Sequence, residues 1–226
     1  MLSHFFCYNS QKLQGSQQMN LIMFDMDGTL INSGNMISNT VNYVRENIGL
    51  PLLEKNHILE KLNDPNINSA EFFYGTKHFT PEQTHLFESY YTKNCLLELE
   101  IYDGIESLLH TLKGDFKLAV ATNASSVFAK KMLAHLNLIE HFEVVYGYDS
   151  VTKPKPHPEM VYKIMETIQT TKEKSLLIGD SHKDTQAAFN AGVDSILVNW
   201  GFSNHEKDAI QNVSELEESI FKKFKK

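Results

Sequence analysis

The chain has 226 residues, of which 42% are hydrophobic and 22% charged, and its formal net charge is −7 with histidine neutral. A globular chain of this size can bury a core without disulfides or a structural metal, so the composition excludes a wholly disordered protein and a disulfide scaffold. The acidic balance argues against a nucleic acid or an anionic membrane as the main partner.

The first 18 residues are polar and rich in glutamine and serine, and we expect residues 1–18 to form a loose extension. They lack the basic segment and continuous apolar segment of a signal peptide. No apolar run of the chain approaches the ~18 residues that a membrane span needs. The two cysteines, Cys7 and Cys95, are far apart and form no CxxC pair. This usage predicts reduced thiols in a cytoplasmic protein.

Five short apolar runs, each bounded by turn residues, predict strands that are buried on both faces of a parallel sheet. In chain order the predicted strands are 21–24, 117–121, 143–146, 175–178 and 195–198. Helical periodicity alternates with them at 104–113, 125–136, 158–168 and 182–191. A capping box at Ser214 and Glu217 predicts the start of a last helix. This alternation predicts an α/β fold with a Rossmann-like, doubly wound parallel sheet.

One segment interrupts the alternation of strands and helices. Residues 35–100 carry helical patterns and no strand-like run, and a capping box at Thr80 and Gln83 marks a helix start. Structureless loops of this length are rare in compact domains, so we expect a small helical domain inserted into a core of residues 19–34 and 101–226. Its aromatic residues are expected to form its own small core: Phe72, Phe73, Tyr74, Phe79, Phe87, Tyr90 and Tyr91.

Polar residues follow the predicted strands at their carboxyl ends, where open α/β sheets bind ligands. The candidates are Asp25, Asp27, Thr122, Asn123, Lys155, Asp180 and Asp184. Crowded carboxylates repel one another and resist ionisation, and a hard divalent cation relieves this repulsion. Because the ligands on offer are oxygens, with no cysteine or paired histidine, the set predicts a Mg²⁺ site.

Asp25 and Asp27 lie two residues apart, so in an extended chain their side chains face the same way. One carboxylate can attack a phosphorus atom while the other protonates the leaving oxygen, since aspartate forms covalent aspartyl-phosphates. A metal ion, a lysine and backbone N–H groups supply the charge neutralisation that phosphoryl transfer requires. Gly28 allows the chain to turn directly after this pair.

The same residues resemble the four motifs of the haloacid dehalogenase superfamily. Residues 24–30, with the sequence FDMDGTL, are similar to its first motif, and Thr122 and Asn123 to its second. Residues 155–159 are similar to the third motif and residues 179–184 to the fourth. The helical insertion falls where this superfamily places a cap domain, and the motif order matches along nearly the whole chain from Met19.

The resemblance implies a role for each acidic residue. Asp25 is expected to be the nucleophile and a metal ligand, and Asp27 the general acid/base with its backbone carbonyl on the metal. Asp180 is expected to complete the metal site, and Asp184 to act behind the ligands or through water. Dehalogenases of this superfamily lack the second aspartate of the first motif, so Asp27 favours phosphate chemistry.

The resemblance also implies a phosphate-binding set. Thr122 and Asn123 are expected to hold the phosphoryl group and Lys155 to neutralise it. Lys153 competes for that role, but Lys155 fits the Lys-Pro-x-Pro-acid pattern better, and Lys153 is interpreted as a surface residue. Two histidines near these motifs are expected to be capping or solvent-facing residues: His157 and His182.

The implied activity is a phosphatase that acts on a small phosphorylated metabolite. Residues around Tyr102 and Trp200 resemble the phosphoglycolate phosphatase subgroup, which makes phosphoglycolate the first candidate substrate. Residues 35–100, however, hold five cationic and nine anionic side chains, which disfavours a second anionic group and supports only the broader class of phosphomonoesters.

Three alternatives remain at this point. A β-phosphoglucomutase-like mutase resembles this chain, but the stretch 61–66 lacks the arginine of the mutase cap loop. Phosphonate-cleaving relatives need a cap lysine for a Schiff base, and nothing marks one out among the lysines of residues 35–100. A phospho-accepting regulatory protein of the receiver type combines acidic residues, a threonine and a lysine in a similar way, but it is about half this length and has no cap.

Overall fold

The computed structural model describes residues 19–64, 66–202 and 208–225. Its strands are β1 (Asn20–Phe24), β2 (Ile31–Asn32), β3 (Glu100–Ile101), β4 (Phe116–Ala121), β5 (Val144–Tyr146), β6 (Ser175–Gly179) and β7 (Asp194–Leu197). The main sheet is fully parallel, and its strand order is β5-β4-β1-β6-β7. The predicted α/β class is therefore confirmed, and β1 occupies the centre of the sheet.

Nine α-helices lie in the described part of the chain. They are α1 (Gly34–Asn47), α2 (Lys55–Leu62), α3 (Ser69–Tyr74), α4 (Pro81–Asn94), α5 (Ile105–Leu112), α6 (Ser126–His135), α7 (Glu159–Ile168), α8 (His182–Ala191) and α9 (Val213–Phe224). No helix among these residues is long and apolar enough to cross a membrane. Cys95 is buried with a free thiol, whereas Cys7 and the rest of residues 1–18 lie outside the described residues.

The main sheet buries both of its faces, because successive strand side chains point to opposite sides. Ile22 and Phe24 of β1 join the cluster formed with α5, α6 and α9. Leu21 and Met23 join the opposite cluster, formed with α7 and α8. This two-sided burial explains why the strands appear in the sequence as continuous apolar runs.

Helices α1–α4, called the insertion helices below, lie between β2 and β3. These two strands form an antiparallel ribbon in which Ile31 pairs with Ile101 and Asn32 with Glu100. The expectation of no strand within residues 35–100 was wrong at Glu100, because a two-residue strand carries no detectable periodicity. The limits of the insertion as a domain of its own remain a prediction.

The aromatic residues of the insertion divide between two cores. Phe73 and Tyr74 are buried in a cluster with residues of α1 and α2, as expected. Tyr91 instead belongs to the core beside the main sheet, where its hydroxyl contacts the Met132 sulfur at 3.4 Å. Phe79 is 53% exposed. The prediction of a single aromatic core was therefore wrong, because one face of α4 packs against the main sheet and its flanking helices, which are together called the sheet domain below.

Capping residues fix where the helices begin. The predicted box at Thr80 and Gln83 starts α4, with both reciprocal hydrogen bonds formed. The box predicted at Ser214 was wrong, since Asn212 caps α9 and its side chain accepts a hydrogen bond from the Glu215 amide at 3.0 Å. The apolar residues Leu216 and Ile220 pack on the core, and the helix that presents them begins one residue before Ser214.

Candidate active site

The carboxyl ends of the central strands bring the motif residues together. The Asp25 amide donates a hydrogen bond to the Ile178 carbonyl of β6 at 2.8 Å, which prolongs the pairing of β1 by one residue. On the other side, the Thr122 amide donates to the Tyr146 carbonyl of β5 at 3.0 Å. Asp180 follows β6 directly. The residues after β1, β4 and β6 therefore meet at one edge of the sheet.

Three carboxylates form a compact group, called the carboxylate cluster below. Asp25, Asp180 and Asp184 each offer an oxygen, and these oxygens all lie within 4.8 Å of one another. All three residues are buried. The Lys155 ammonium also lies inside, with its Nζ 2.8 Å from Asp25 Oδ1 and 2.5 Å from Asp184 Oδ1. Asp184 is thus placed directly beside the other two carboxylates.

Burial and mutual repulsion dominate the electrostatics of the carboxylate cluster. Burial raises the pKa of Asp180 to about 7, with repulsion from Asp184 adding to it. Burial raises the pKa of Asp25 as well, although Lys155 opposes this shift. Burial also disfavours the Lys155 ammonium, but the attraction of Asp184 and Asp25 outweighs it and leaves the pKa of Lys155 above its usual value. One ammonium therefore leaves this group of carboxylates short of positive charge.

The donor set fits a hard divalent cation. It consists of three carboxylates without histidine or cysteine, which suits Mg²⁺ better than a softer transition metal. Both oxygens of Asp184 already accept hydrogen bonds, Oδ1 from Lys155 and Oδ2 from the Ser181 hydroxyl at 2.6 Å. Asp25 and Asp180 are accordingly better placed than Asp184 to give an oxygen to an ion.

Asp27 stands apart from the carboxylate cluster. Its Oδ1 accepts a hydrogen bond from the hydroxyl of Ser33, which is fully buried. Burial raises the pKa of Asp27 to about 6, against the opposing effects of this hydrogen bond and of Lys155. A carboxyl that titrates near neutrality is suited to both giving and taking a proton. Sequence reasoning missed Ser33, whose place before α1 indicates only a helix cap.

Thr122 and Asn123, two of the predicted phosphate-binding residues, follow β4 directly. Thr122 is buried, and its hydroxyl accepts a hydrogen bond from the Ala124 amide at 3.0 Å. The Asn123 side chain donates to the Lys155 carbonyl at 2.8 Å and accepts from the Lys155 amide at 3.0 Å. Asn123 therefore fixes the backbone that carries Lys155, while its contact with a phosphoryl group remains a prediction.

A second loop supports the turn after β4. Asp149 accepts hydrogen bonds from the Ser126 amide at 2.9 Å and from the Ser125 hydroxyl at 3.0 Å, so it caps α6 from outside the helix. Gly147 packs so closely on this turn that a Cβ there would lie 2.3 Å from the Ser126 nitrogen. Sequence reasoning missed Asp149, because the cap comes from a residue more than 20 positions away.

Two glycines make room for Asp180. A Cβ at Gly28 would lie 2.4 Å from Asp180 Oδ2, and one at Gly201 would lie 2.3 Å from the same atom. The Phe202 amide donates to this oxygen at 2.8 Å, and the Trp200 indole donates to the Thr29 carbonyl at 3.1 Å. The segment around Trp200 therefore lies against the turn after β1.

The insertion helices reach the same edge of the sheet at the end of α2. The Asn63 side chain donates a hydrogen bond to Asp180 Oδ2 at 3.1 Å. The adjacent Leu62 carbonyl accepts one from Lys183 Nζ at 2.7 Å. Neither contact is visible in a local pattern, since the partners lie 117 and 121 residues apart.

The remaining candidates lie outside this arrangement. Lys153 is exposed, whereas Lys155 is only 4% exposed, so the structure separates the two lysines that competed for one role. His157 and His182 are exposed, in keeping with their interpretation as solvent-facing residues.

The fold and the site together define a family of hydrolases. The sequence profile of the haloacid dehalogenase-like hydrolases matches residues 22–198, and the chain belongs to that family. The phosphoglycolate phosphatase of Aquifex aeolicus (strain VF5) is 31% identical over 185 residues, which cover 81% of this chain and 86% of that protein. The pyrophosphatase PpaX of Halalkalibacterium halodurans is 28% identical, over 84% of this chain and 87% of its own length.

A solved structure extends the likeness to three dimensions. The crystal structure described as a predicted phosphatase from Clostridium acetobutylicum superposes with a TM-score of 0.81 at 27% identity. The superposition covers 90% of this chain and 99% of that one. These comparisons confirm the family, the fold and the class of enzyme that the four motifs predict, a phosphatase.

Proposed function

We propose that this enzyme is a Mg²⁺-dependent phosphatase that hydrolyses a small phosphomonoester through an aspartyl-phosphate on Asp25. The observation that carries the proposal is the difference between the surroundings of Asp25 and those of Asp27. Asp25 lies in the carboxylate cluster with Lys155 at 2.8 Å, whereas Asp27 lies outside it and has a pKa raised to about 6. Asp25 is thus paired with an ammonium inside the carboxylate cluster, and the raised pKa of Asp27 suits that carboxyl to proton transfer.

The cation would be held by side-chain oxygens of Asp25 and Asp180 and by the backbone carbonyl of Asp27, with Asp184 behind them. When bound, Mg²⁺ supplies positive charge that screens the phosphoryl oxygens from the carboxylate cluster. Lys155 supplies a further positive charge beside Asp25.

In the first step, an Asp25 oxygen attacks phosphorus, the bond to the leaving oxygen breaks, and Asp27 gives that oxygen its proton. In the second step, Asp27 takes a proton from water while the water oxygen attacks phosphorus. The Asp25–phosphorus bond then breaks, which releases phosphate, restores the Asp25 carboxylate and leaves Asp27 protonated for the next turnover. Thr122 and Lys155 position the phosphoryl group, and Asn123 fixes the Lys155 backbone.

The insertion helices act as a cap that limits the substrate to small molecules and contacts the leaving group. Phosphoglycolate is a candidate substrate because two of the relatives are named phosphoglycolate phosphatase. The excess of anionic side chains in the insertion disfavours a substrate with a second anionic group. Arg45, the only arginine of the chain, cannot offset this excess at the site, because it is buried against the carbonyls of Pro51 and Phe73. We therefore propose the broader class of small phosphomonoesters, and a cytoplasmic site of action.

Phosphate release from a panel of small phosphomonoesters tests the proposal, measured with Mg²⁺ and with EDTA for the wild type, Asp25→Asn and Asp115→Asn. We expect multiple turnover only with Mg²⁺, a loss of at least about 10³-fold in Asp25→Asn, and full activity in the control at the exposed Asp115. Unchanged turnover in Asp25→Asn contradicts the nucleophile. Phosphorylation of the wild type without phosphate release favours the mutase or the regulatory protein instead.

A further inference from the structure

We propose that Asn63 is a positioning residue that couples docking of the insertion helices to cation binding at Asp180. The inference rests on the cation site proposed above. It concerns the point where the end of α2 meets the carboxylate cluster, and it assigns to Asn63 an effect on the affinity for the ion rather than a contact with substrate.

Asp180 Oδ2 receives hydrogen bonds from two different parts of the molecule. The Phe202 amide, which belongs to the sheet domain, donates at 2.8 Å, and the Asn63 side chain, which follows α2, donates at 3.1 Å. Two donors on one oxygen fix the plane of the carboxylate and therefore the direction of its other oxygen. Groups behind a metal ligand that orient it in this way change metal affinity by about 10–100-fold when they are removed.

A second contact holds the same piece of chain on the sheet domain. Lys183 Nζ donates to the Leu62 carbonyl at 2.7 Å, so neighbouring residues of the insertion are tied to the core at two points. The Leu62 carbonyl lies at the carboxyl end of α2, where the helix dipole favours a positive charge. Asn63 therefore meets Asp180 only when the end of α2 is docked.

This arrangement makes docking and cation binding dependent on each other. If the docked α2 orients Asp180 for the ion, the bound ion must favour the docked α2 by the same factor, because coupling between two equilibria is reciprocal. The coupling passes through the Asn63–Asp180 hydrogen bond. Removing the Asn63 donor should weaken cation binding and abolish the effect of the cation on α2.

Isothermal titration calorimetry with Mg²⁺ and with Mn²⁺ tests the first consequence on the full chain without substrate. We expect Kd to rise about tenfold in Asn63→Ala and in Asn63→Leu; leucine keeps the number and branching of the side-chain heavy atoms but removes the donor. Asn66→Ala alters an exposed asparagine nearby in the same segment and should leave Kd unchanged. Thermal unfolding checks that each variant is folded, which we expect because Asn63 is only half-buried.

Hydrogen exchange tests the second consequence. Saturating Mg²⁺ should slow the exchange of α2 amides in the wild type and leave it unaltered in Asn63→Ala at equal occupancy. If the wild type binds no cation, the proposed metal site fails and this inference fails with it. If the wild type binds a cation and both Asn63 variants bind it within twofold of the wild type, the inference is overturned while the metal site stands.

Discussion

Two buried cations in this molecule differ in what surrounds them. Lys155, at the edge of the main sheet, is 4% exposed and bonds to the carboxylates of Asp25 and Asp184. Arg45, inside the insertion helices, is 6% exposed and donates to the carbonyls of Pro51, at 2.7 Å, and Phe73. Lys155 balances the charges of two carboxylates, whereas Arg45 ties segments of backbone together.

The contrast extends to the pKa of each group. Burial lowers the pKa of Arg45, and its surroundings only partly oppose this. For Lys155 the neighbouring carboxylates reverse the effect of burial. Burial therefore does not distinguish the cation with a proposed role in catalysis from the structural one, but the charge of its partners does.

The largest expected effect is that of Lys155→Met, which leaves buried carboxylates without their counter-charge. We expect the free energy of unfolding at pH 7 to fall by about 3–5 kcal/mol, and phosphate release by at least ~10²-fold. Without the ammonium, the folded-state pKa of Asp25 rises further above its unfolded value. Stability is then lost as pH rises and regained as pH falls, so urea unfolding at pH 5 should show a smaller deficit. A deficit that is equal at both pH values contradicts this account.

Glycine substitutions compare backbone strain at the edge of the main sheet with backbone strain in the insertion. Gly28 and Gly75 both have a positive φ, of +85° and +71°, but only Gly28 faces Asp180, while a Cβ at Gly75 meets no atom within 4 Å. We expect Gly28→Ala to destabilise by about 2–3 kcal/mol and to abolish cation binding. Gly75→Ala should cost about 1 kcal/mol and leave binding intact.

Gly114→Ala is the control for the glycine pair, because its φ is not in the left-handed region and a Cβ there meets nothing within 4 Å. Urea unfolding and cation titration of the three variants separate the backbone strain of a positive φ from the collision of a Cβ with Asp180. Loss of cation binding in Gly75→Ala would show that strain alone accounts for the effect at Gly28.

Arg45→Met probes the structural cation. The change leaves the Pro51 and Phe73 carbonyls without their donor, and we expect a loss of about 1–3 kcal/mol in the free energy of unfolding. Because no carboxylate is left uncompensated, this loss should be the same at pH 5 and pH 7. Weaker cation binding in Arg45→Met would contradict the assignment of a purely structural role to Arg45.

The smallest effect is expected outside both regions. Phe189 is 79% exposed on α8, and Phe189→Ser should change the free energy of unfolding by less than about 0.5 kcal/mol. Chemical denaturation measures this directly, and sedimentation analysis shows whether the mass in solution changes. A large loss of stability or a change in mass would show that this ring is covered by another molecule.

The sequence predicts what parallel-sheet geometry alone determines. Asp25, Lys155 and Asp180 were expected at one edge of the sheet because the carboxyl ends of parallel strands meet there, and the structure brings them together. The fold class followed from the apolar runs for the same reason. The chemical roles of these residues remain predictions.

What the sequence did not predict depends on contacts between distant segments. Ser33 was indistinguishable from a helix cap, because its bond to Asp27 depends on the turn between them. Asn63 reaches Asp180 only through the packing of the insertion helices on the sheet domain. Tyr91 was assigned to the wrong core because aromatic content does not show which face of α4 is covered, and by what.

The central position of β1 has a consequence for biosynthesis. Asp25 is synthesised before β4 and β6, the two strands with which β1 pairs, and β6 ends only at Gly179. At the ~5–20 residues per second of translation, roughly 8–30 s pass between the synthesis of Asp25 and that of Asp180. A nascent chain that stops before β6 exposes one edge of β1 and holds no complete active site. The enzyme can therefore become active only after Asp180 and Asp184 have been synthesised.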